Sequence, residues 1–161
     1  MKGRVVVVKE YGKPFEIEEY DVPEPENGAV LLRMTQAGVC GSDLHTYRGD
    51  QTQEYMPLPE NGRVMGHEGT GIVEALGPNV STDTLGEPIR EGDRVVYAAV
   101  FPCHKCHLCL KGDTNWCANR EYPTAGVWPY FTGTYADFLY LPPKNICNKS
   151  PLTRAYRAGS L

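Results

Sequence analysis

Apolar residues in this chain come in short bursts, without the three-to-four-residue recurrence of an amphipathic helix. Val5 to Val8, Phe15 to Tyr20 and Ala29 to Val39 are rich in β-branched or aromatic side chains. Each burst is bracketed by turn signals, Gly12-Lys13-Pro14 after the first and Pro23-Glu24-Pro25-Glu26-Asn27-Gly28 after the second. Proline withholds a backbone donor and glycine takes angles that end a strand, so the pattern predicts three antiparallel strands here. Ser42 and Asp43 are candidate caps for a short helical turn over Cys40 to Arg48. Residues 49–63 read as loop. Val64 to Leu76 reads as strand interrupted by Gly66, Gly69 and Gly71, which implies a bent strand or a close backbone approach, and 77–92 reads as another loop. Asp93 to Val100 is a compact apolar run, predicted as a buried strand. Thr134 to Leu141 alternates Tyr135, Asp137 and Leu139 with Ala136, Phe138 and Tyr140, which predicts a last strand stopped by Pro142-Pro143.

Many short strands between loops predict a mainly β fold, an all-β barrel or sandwich. Composition agrees: 161 residues suit one domain, and Gly 17 with Pro 13 imply many turns. A formal net charge of -4 with no basic stripe argues against a nucleic-acid partner. The opening Met1-Lys2-Gly3-Arg4 leads into only four valines, too few for a signal peptide or a membrane span, so a cytoplasmic location without membrane association is expected. The sole approach to a dinucleotide fingerprint, Gly69-Thr70-Gly71, has Glu74 where the third glycine belongs and no helix after it.

Cys103, Cys106, Cys109 and Cys117 stand in the order C-x2-C-x2-C-x7-C. Tight C-x2-C turns bring neighbouring sulfurs around one ion, and four thiolates make a closed tetrahedral zinc site with no open position. Such a zinc would be structural and would stabilise a long loop. Two readings compete. Disulfides would need an oxidising compartment. An iron–sulfur cluster, and with it an electron-transfer role, shares the opening spacing but would continue with x3-C-P, whereas Cys117 follows seven residues later and precedes Ala118. With four thiolates in place, His104 and His107 read as solvated loop residues.

A second set of donors is Cys40, followed by Ser42, Asp43 and His45, together with His67-Glu68. A catalytic zinc takes three protein ligands and keeps one position free. Spacing alone leaves two alternatives open, Cys40 as a core residue after an apolar strand and His67 as a turn residue between glycines.

The segments G-V-C-G-S-D-L-H (38–45), G-H-E-G-T-G (66–71), E-G-D-R-V (91–95) and the four-cysteine loop occur in one order, and together they resemble the zinc-dependent medium-chain dehydrogenase family over residues 1–146. The resemblance implies a GroES-like catalytic domain, a partly open antiparallel barrel with short helices and a zinc-binding loop. It implies that Cys40 and His67 ligate a catalytic zinc with Glu68 as an acidic neighbour able to approach it. Asp43 then orients the zinc-binding histidine, Ser42 takes the substrate proton, and His45 passes it to solvent. The implied reaction is hydride transfer between a small-molecule alcohol or carbonyl substrate and NAD or NADP, with zinc as Lewis acid. The family's nucleotide-binding Rossmann domain and third catalytic ligand fall outside the matching stretch, and the family's full-length form is expected to be a homo-oligomer. Residues 147–161, including Cys147, depart from the family and are expected to be an irregular tail. The chain alone is accordingly expected to be inactive, and a non-catalytic zinc-binding or interaction module is the alternative. Tyr47, Trp128 and Tyr130 are candidates for lining a substrate pocket.

Overall fold

The computed structural model describes residues 1–50, 58–97, 101–119 and 125–143, and the backbone of 147–149. Eight strands form two antiparallel sheets: β1 (Lys2–Val8), β2 (Glu16–Asp21), β3 (Val30–Ala37), β4 (Arg63–Val64), β5 (Gly69–Leu76), β6 (Arg94–Tyr97), β7 (Phe138–Leu141) and β8 (Cys147–Lys149). The smaller sheet has the order β2-β1-β4 and the larger β7-β3-β5-β6-β8. Two short helices, α1 (Gly41–Arg48) and α2 (His107–Leu110), and a 3-10 turn at Thr114–Trp116 complete the described elements. The fold is mainly β, and among the described residues the strands close no barrel.

Period-two alternation explains how the larger sheet packs on both faces. In β7, Phe138 and Tyr140 join Val5, Val7, Leu31, Val64 and Phe131 in a cluster between the sheets. Leu139 and Leu141 point the other way, into a cluster with Val30, Leu32, Val73, Ile89 and Val95. β3 divides likewise, Leu31 to the first cluster and its neighbours Val30 and Leu32 to the second. Each fully buried aliphatic side chain contributes about 1.5–3 kcal/mol.

The first three strands are antiparallel as expected, but they divide between the sheets: β1 pairs with β2, and β3 lies in the other sheet between β7 and β5. The Pro-rich link before β3 carries the chain across from one sheet to the other. Two sequence expectations need correction. The strand expected over Val64 to Leu76 is two strands, because Met65 to Glu68 leave the sheet, with Gly66 at φ +87. The expected irregular tail begins with a strand, since Cys147–Lys149 pair with Tyr97 to Val95 of β6. Residues 150–161 lie outside the described residues, as do 98–100 of the strand expected to Val100 and 51–57 of the expected loop.

The sheets meet along one seam. Val6 N–H donates to Tyr135 O (2.8 Å) and Asp137 N–H to Arg4 O (2.9 Å). Arg4 grips Asp137 with Nε on Oδ2 and a terminal nitrogen on Oδ1, each 3.0 Å. A cavity of about 330 Å³ opens on this seam, lined by Arg4, Ile17, Met34, Gln36, Tyr135 and Asp137 among others.

Candidate metal centre

The end of β3 delivers Cys40 to the start of α1. A bulge between Met34 and Gln36 bends β3 on its way there. Cys40, not Ser42 as expected, is the N-cap. Its backbone N–H donates to Asp43 Oδ2 at 2.8 Å, so Asp43 occupies the third helical position and closes the cap from inside. Gly49 ends the helix in the left-handed conformation.

His67 and Glu68 arrive from the other side, on the link between β4 and β5. Two glycines set how closely the segments approach. A Cβ on Gly66 would lie 2.4 Å from Thr134 Oγ1, and one on Gly38 would lie 2.8 Å from Glu68 Oε2. Cys40, His67 and Glu68 present ligand atoms all within 4.8 Å of one another. Asp43, 5% exposed, places Oδ1 3.8 Å from His67 Nδ1. Tyr135 donates its hydroxyl to Asp43 Oδ2 at 2.8 Å, with Gly38 O 3.0 Å away. Burial first, and the Asp43 carboxylate next, push the Tyr135 hydroxyl well up, so it remains a proton donor.

Ser42 and His45 are three apart on α1 and therefore share a face. Ser42 is half-buried and its carbonyl accepts the Thr46 hydroxyl at 3.0 Å. His45 is exposed, with Nδ1 3.0 Å from Asp50 Oδ2.

The four cysteines form a second, separate cluster, their sulfurs likewise within 4.8 Å of one another. They are free thiols brought together by α2 and the 3-10 turn. Cys103 N–H donates to Cys117 Sγ at 3.3 Å and Asn119 Nδ2 to Cys103 Sγ at 3.4 Å. The Asn119 amide, with backbone donors behind it, holds the Cys103 thiol down to about 6, whereas burial and neighbouring sulfurs push Cys109 up to about 12. Sulfurs bonded to zinc at about 2.3 Å would stand roughly 3.8 Å apart, so both donor sets fit an ion after small side-chain rotations. His104 and His107 are exposed and belong to neither set.

The aromatic candidates divide. Tyr47 on α1 is 51% exposed and meets Phe15 edge-on. Tyr130 instead stacks on Tyr20 of β2, and Trp128 packs edge-on against Tyr140 of β7. Tyr130 packs on the inter-sheet cluster, and Trp128, 50% exposed, reaches it only through Tyr140 among the described contacts. Tyr135, Asp50 and Asn119 were not identified from sequence; each acts through one hydrogen bond that no spacing announces.

The profile of the alcohol dehydrogenase GroES-like domain family matches residues 26–151. A 5-exo-hydroxycamphor dehydrogenase of Pseudomonas putida is 39% identical over 128 residues, 78% of this chain and 34% of its own length. An S-(hydroxymethyl)glutathione dehydrogenase of a Synechocystis species is 39% identical over 137 residues, 84% of this chain and 34% of that protein. Among solved structures, an alcohol dehydrogenase of Thermotoga maritima superposes with a TM-score of 0.81 at 26% identity, covering 96% of this chain and 42% of that one. The chain thus spans about a third of the length of the curated relatives it matches.

Proposed function

This chain belongs to the alcohol dehydrogenase GroES-like domain family, and from that premise we propose that it is the catalytic-domain portion of a zinc-dependent alcohol or polyol dehydrogenase. The observation that carries this is the convergence of Cys40, His67 and Glu68 from two segments of chain with the buried Asp43 behind them. In this reading Cys40 and His67 hold a zinc, and Cys103, Cys106, Cys109 and Cys117 hold another that stabilises their loop. Glu68 stands close enough to the first to approach it. The thiol-rich second set suits a reducing, cytoplasmic compartment. No helix among the described residues is long and apolar enough to cross a membrane.

When bound, the first zinc supplies Lewis acidity toward a small-molecule alcohol or carbonyl oxygen. The chain's own residues do the rest. Asp43 Oδ1 lies 3.8 Å from His67 Nδ1, so in this reading the ring turns Nδ1 to that carboxylate and offers Nε2 to the zinc. Ser42, half-buried at the start of α1, accepts the substrate hydroxyl proton, and His45, one turn outward and exposed, passes it to solvent. The hydride goes to or comes from NAD or NADP. In this reading nicotinamide binding is the work of the part of the relatives' length that these residues do not span.

Elemental analysis tests the reading. The purified chain should carry two zinc ions, His67→Ala should carry one, and a weak chelator should remove the Cys40–His67 ion first, because fewer protein ligands hold it. Alone, the chain should reduce no NAD or NADP with alcohols; joined to the nucleotide-binding half of a relative, it should turn over, and His67→Ala should abolish that. Iron in place of zinc, or NAD reduction insensitive to His67→Ala, would refute the assignment.

A further inference from the structure

Two segments bring the ligand side chains together, and one residue outside both of them touches each. Tyr135 stands just ahead of β7. Its main chain binds the His67 side: Tyr135 N–H donates to Met65 O at 3.1 Å, and the adjacent Thr134 N–H donates to Gly66 O at 3.1 Å. A Cβ on Gly66 would sit 2.6 Å from Tyr135 N, so the fit admits nothing between them. The side chain binds the Cys40 side, its hydroxyl lying 2.8 Å from Asp43 Oδ2 and 3.0 Å from Gly38 O.

Asp43 Oδ2 therefore takes two donors, the Cys40 N–H and the Tyr135 hydroxyl, each at 2.8 Å. With Oδ2 occupied, Oδ1 is the oxygen turned toward His67. The carboxylate is almost fully buried, and a buried charge that loses one of two donors must turn to find another. Its turn would carry Oδ1 away from His67 and disturb the Cys40 backbone.

Building on the reading of Cys40, His67 and Glu68 as a zinc site, we infer that Tyr135 is a positioning residue of that site: its hydroxyl locks the Asp43 carboxylate between the two ligand-bearing segments. A phenylalanine at this position would keep the ring and every main-chain bond but release the carboxylate. The four-cysteine cluster, which Tyr135 does not touch among the described contacts, is an internal control.

Cobalt(II) titration of the metal-free 161-residue chain, followed by visible absorption, tests this with wild type, Tyr135→Phe, Asp43→Asn and the double variant. Wild type should take two ions. Tyr135→Phe should bind the Cys40–His67 ion about 10-fold more weakly while the four-cysteine ion is unaffected. The double variant should lose far less relative to Asp43→Asn than Tyr135→Phe loses relative to wild type, since the hydroxyl's other contact, Gly38 O, carries no ligand. In the metal-free chain, the Cys40 amide should exchange its hydrogen faster in Tyr135→Phe than in wild type. The inference requires both the selective affinity loss and the faster exchange; failure of either, or an equal loss at both sites, overturns it. A wild-type chain that binds a single cobalt ion overturns the zinc-site reading itself and the inference with it, and is visible without any variant.

Discussion

At Cys109 the local environment and the chemistry expected of it pull in opposite directions. Burial and three neighbouring sulfurs raise its thiol to about 12, yet a closed tetrathiolate site needs it ionised. A divalent cation reverses that preference by pairing with the charge. Cys109→Ser should lose the loop's zinc and melt at a lower temperature while retaining the Cys40–His67 ion. Metal content and calorimetry together check it, and an unchanged melting temperature with unchanged zinc would remove the structural role. The four cysteines were legible in sequence because short turns fix which sulfurs can meet. Tyr135 was not legible: its partner Asp43 is 92 positions away, and no neighbouring residue marks its hydroxyl out from those of the other tyrosines. For Trp128 and Tyr130 the sequence leaves both a pocket wall and a packing role open, since ring size does not tell one from the other.

Among elements, boundaries were easier to read than partners. The alternation in β7 and the capped turn at Gly41–Arg48 are written in a few adjacent residues. That β3 lies beside β5 and β7, away from β1, is decided by which apolar faces meet, and no local signal records it. The joint between sheets is equally non-local, with Arg4 and Asp137 exchanging main-chain and side-chain hydrogen bonds. The Arg4 side chain holds the Asp137 carboxyl below its ordinary value of 3.8. A depressed carboxyl contributes stability above its unfolded value and loses it as pH falls through the folded one. Asp137→Asn should therefore be less stable than wild type at neutral pH, and the gap should narrow below about pH 4 as wild type becomes protonated. Denaturant melts at pH 7 and pH 3 measure this; a gap that does not depend on pH would mean the ion pair contributes nothing. The pair is partly exposed, so added salt should also reduce the gap.

Over the whole molecule, the two donor sets sit on opposite kinds of support: Cys40 and His67 on the ends of paired strands, the four cysteines on a loop held by its own short helix and turn. Removing metal should thus unfold the cysteine lobe locally and leave the sheets intact, which hydrogen exchange with and without chelator would resolve. The seam that ties the sheets has a further consequence in time. Arg4 and Asp137 are 133 positions apart, so β1 docks on a segment that is synthesised much later. Synthesis proceeds at roughly 5–20 residues per second, so β1 waits on the order of ten seconds for its partner. During that wait it has only β2 and the two-residue β4 beside it, and so small a sheet is marginal on its own. In the growing chain, the valines of β1 are a temporary hydrophobic edge, open to chaperones or to a neighbouring nascent chain until the seam is synthesised.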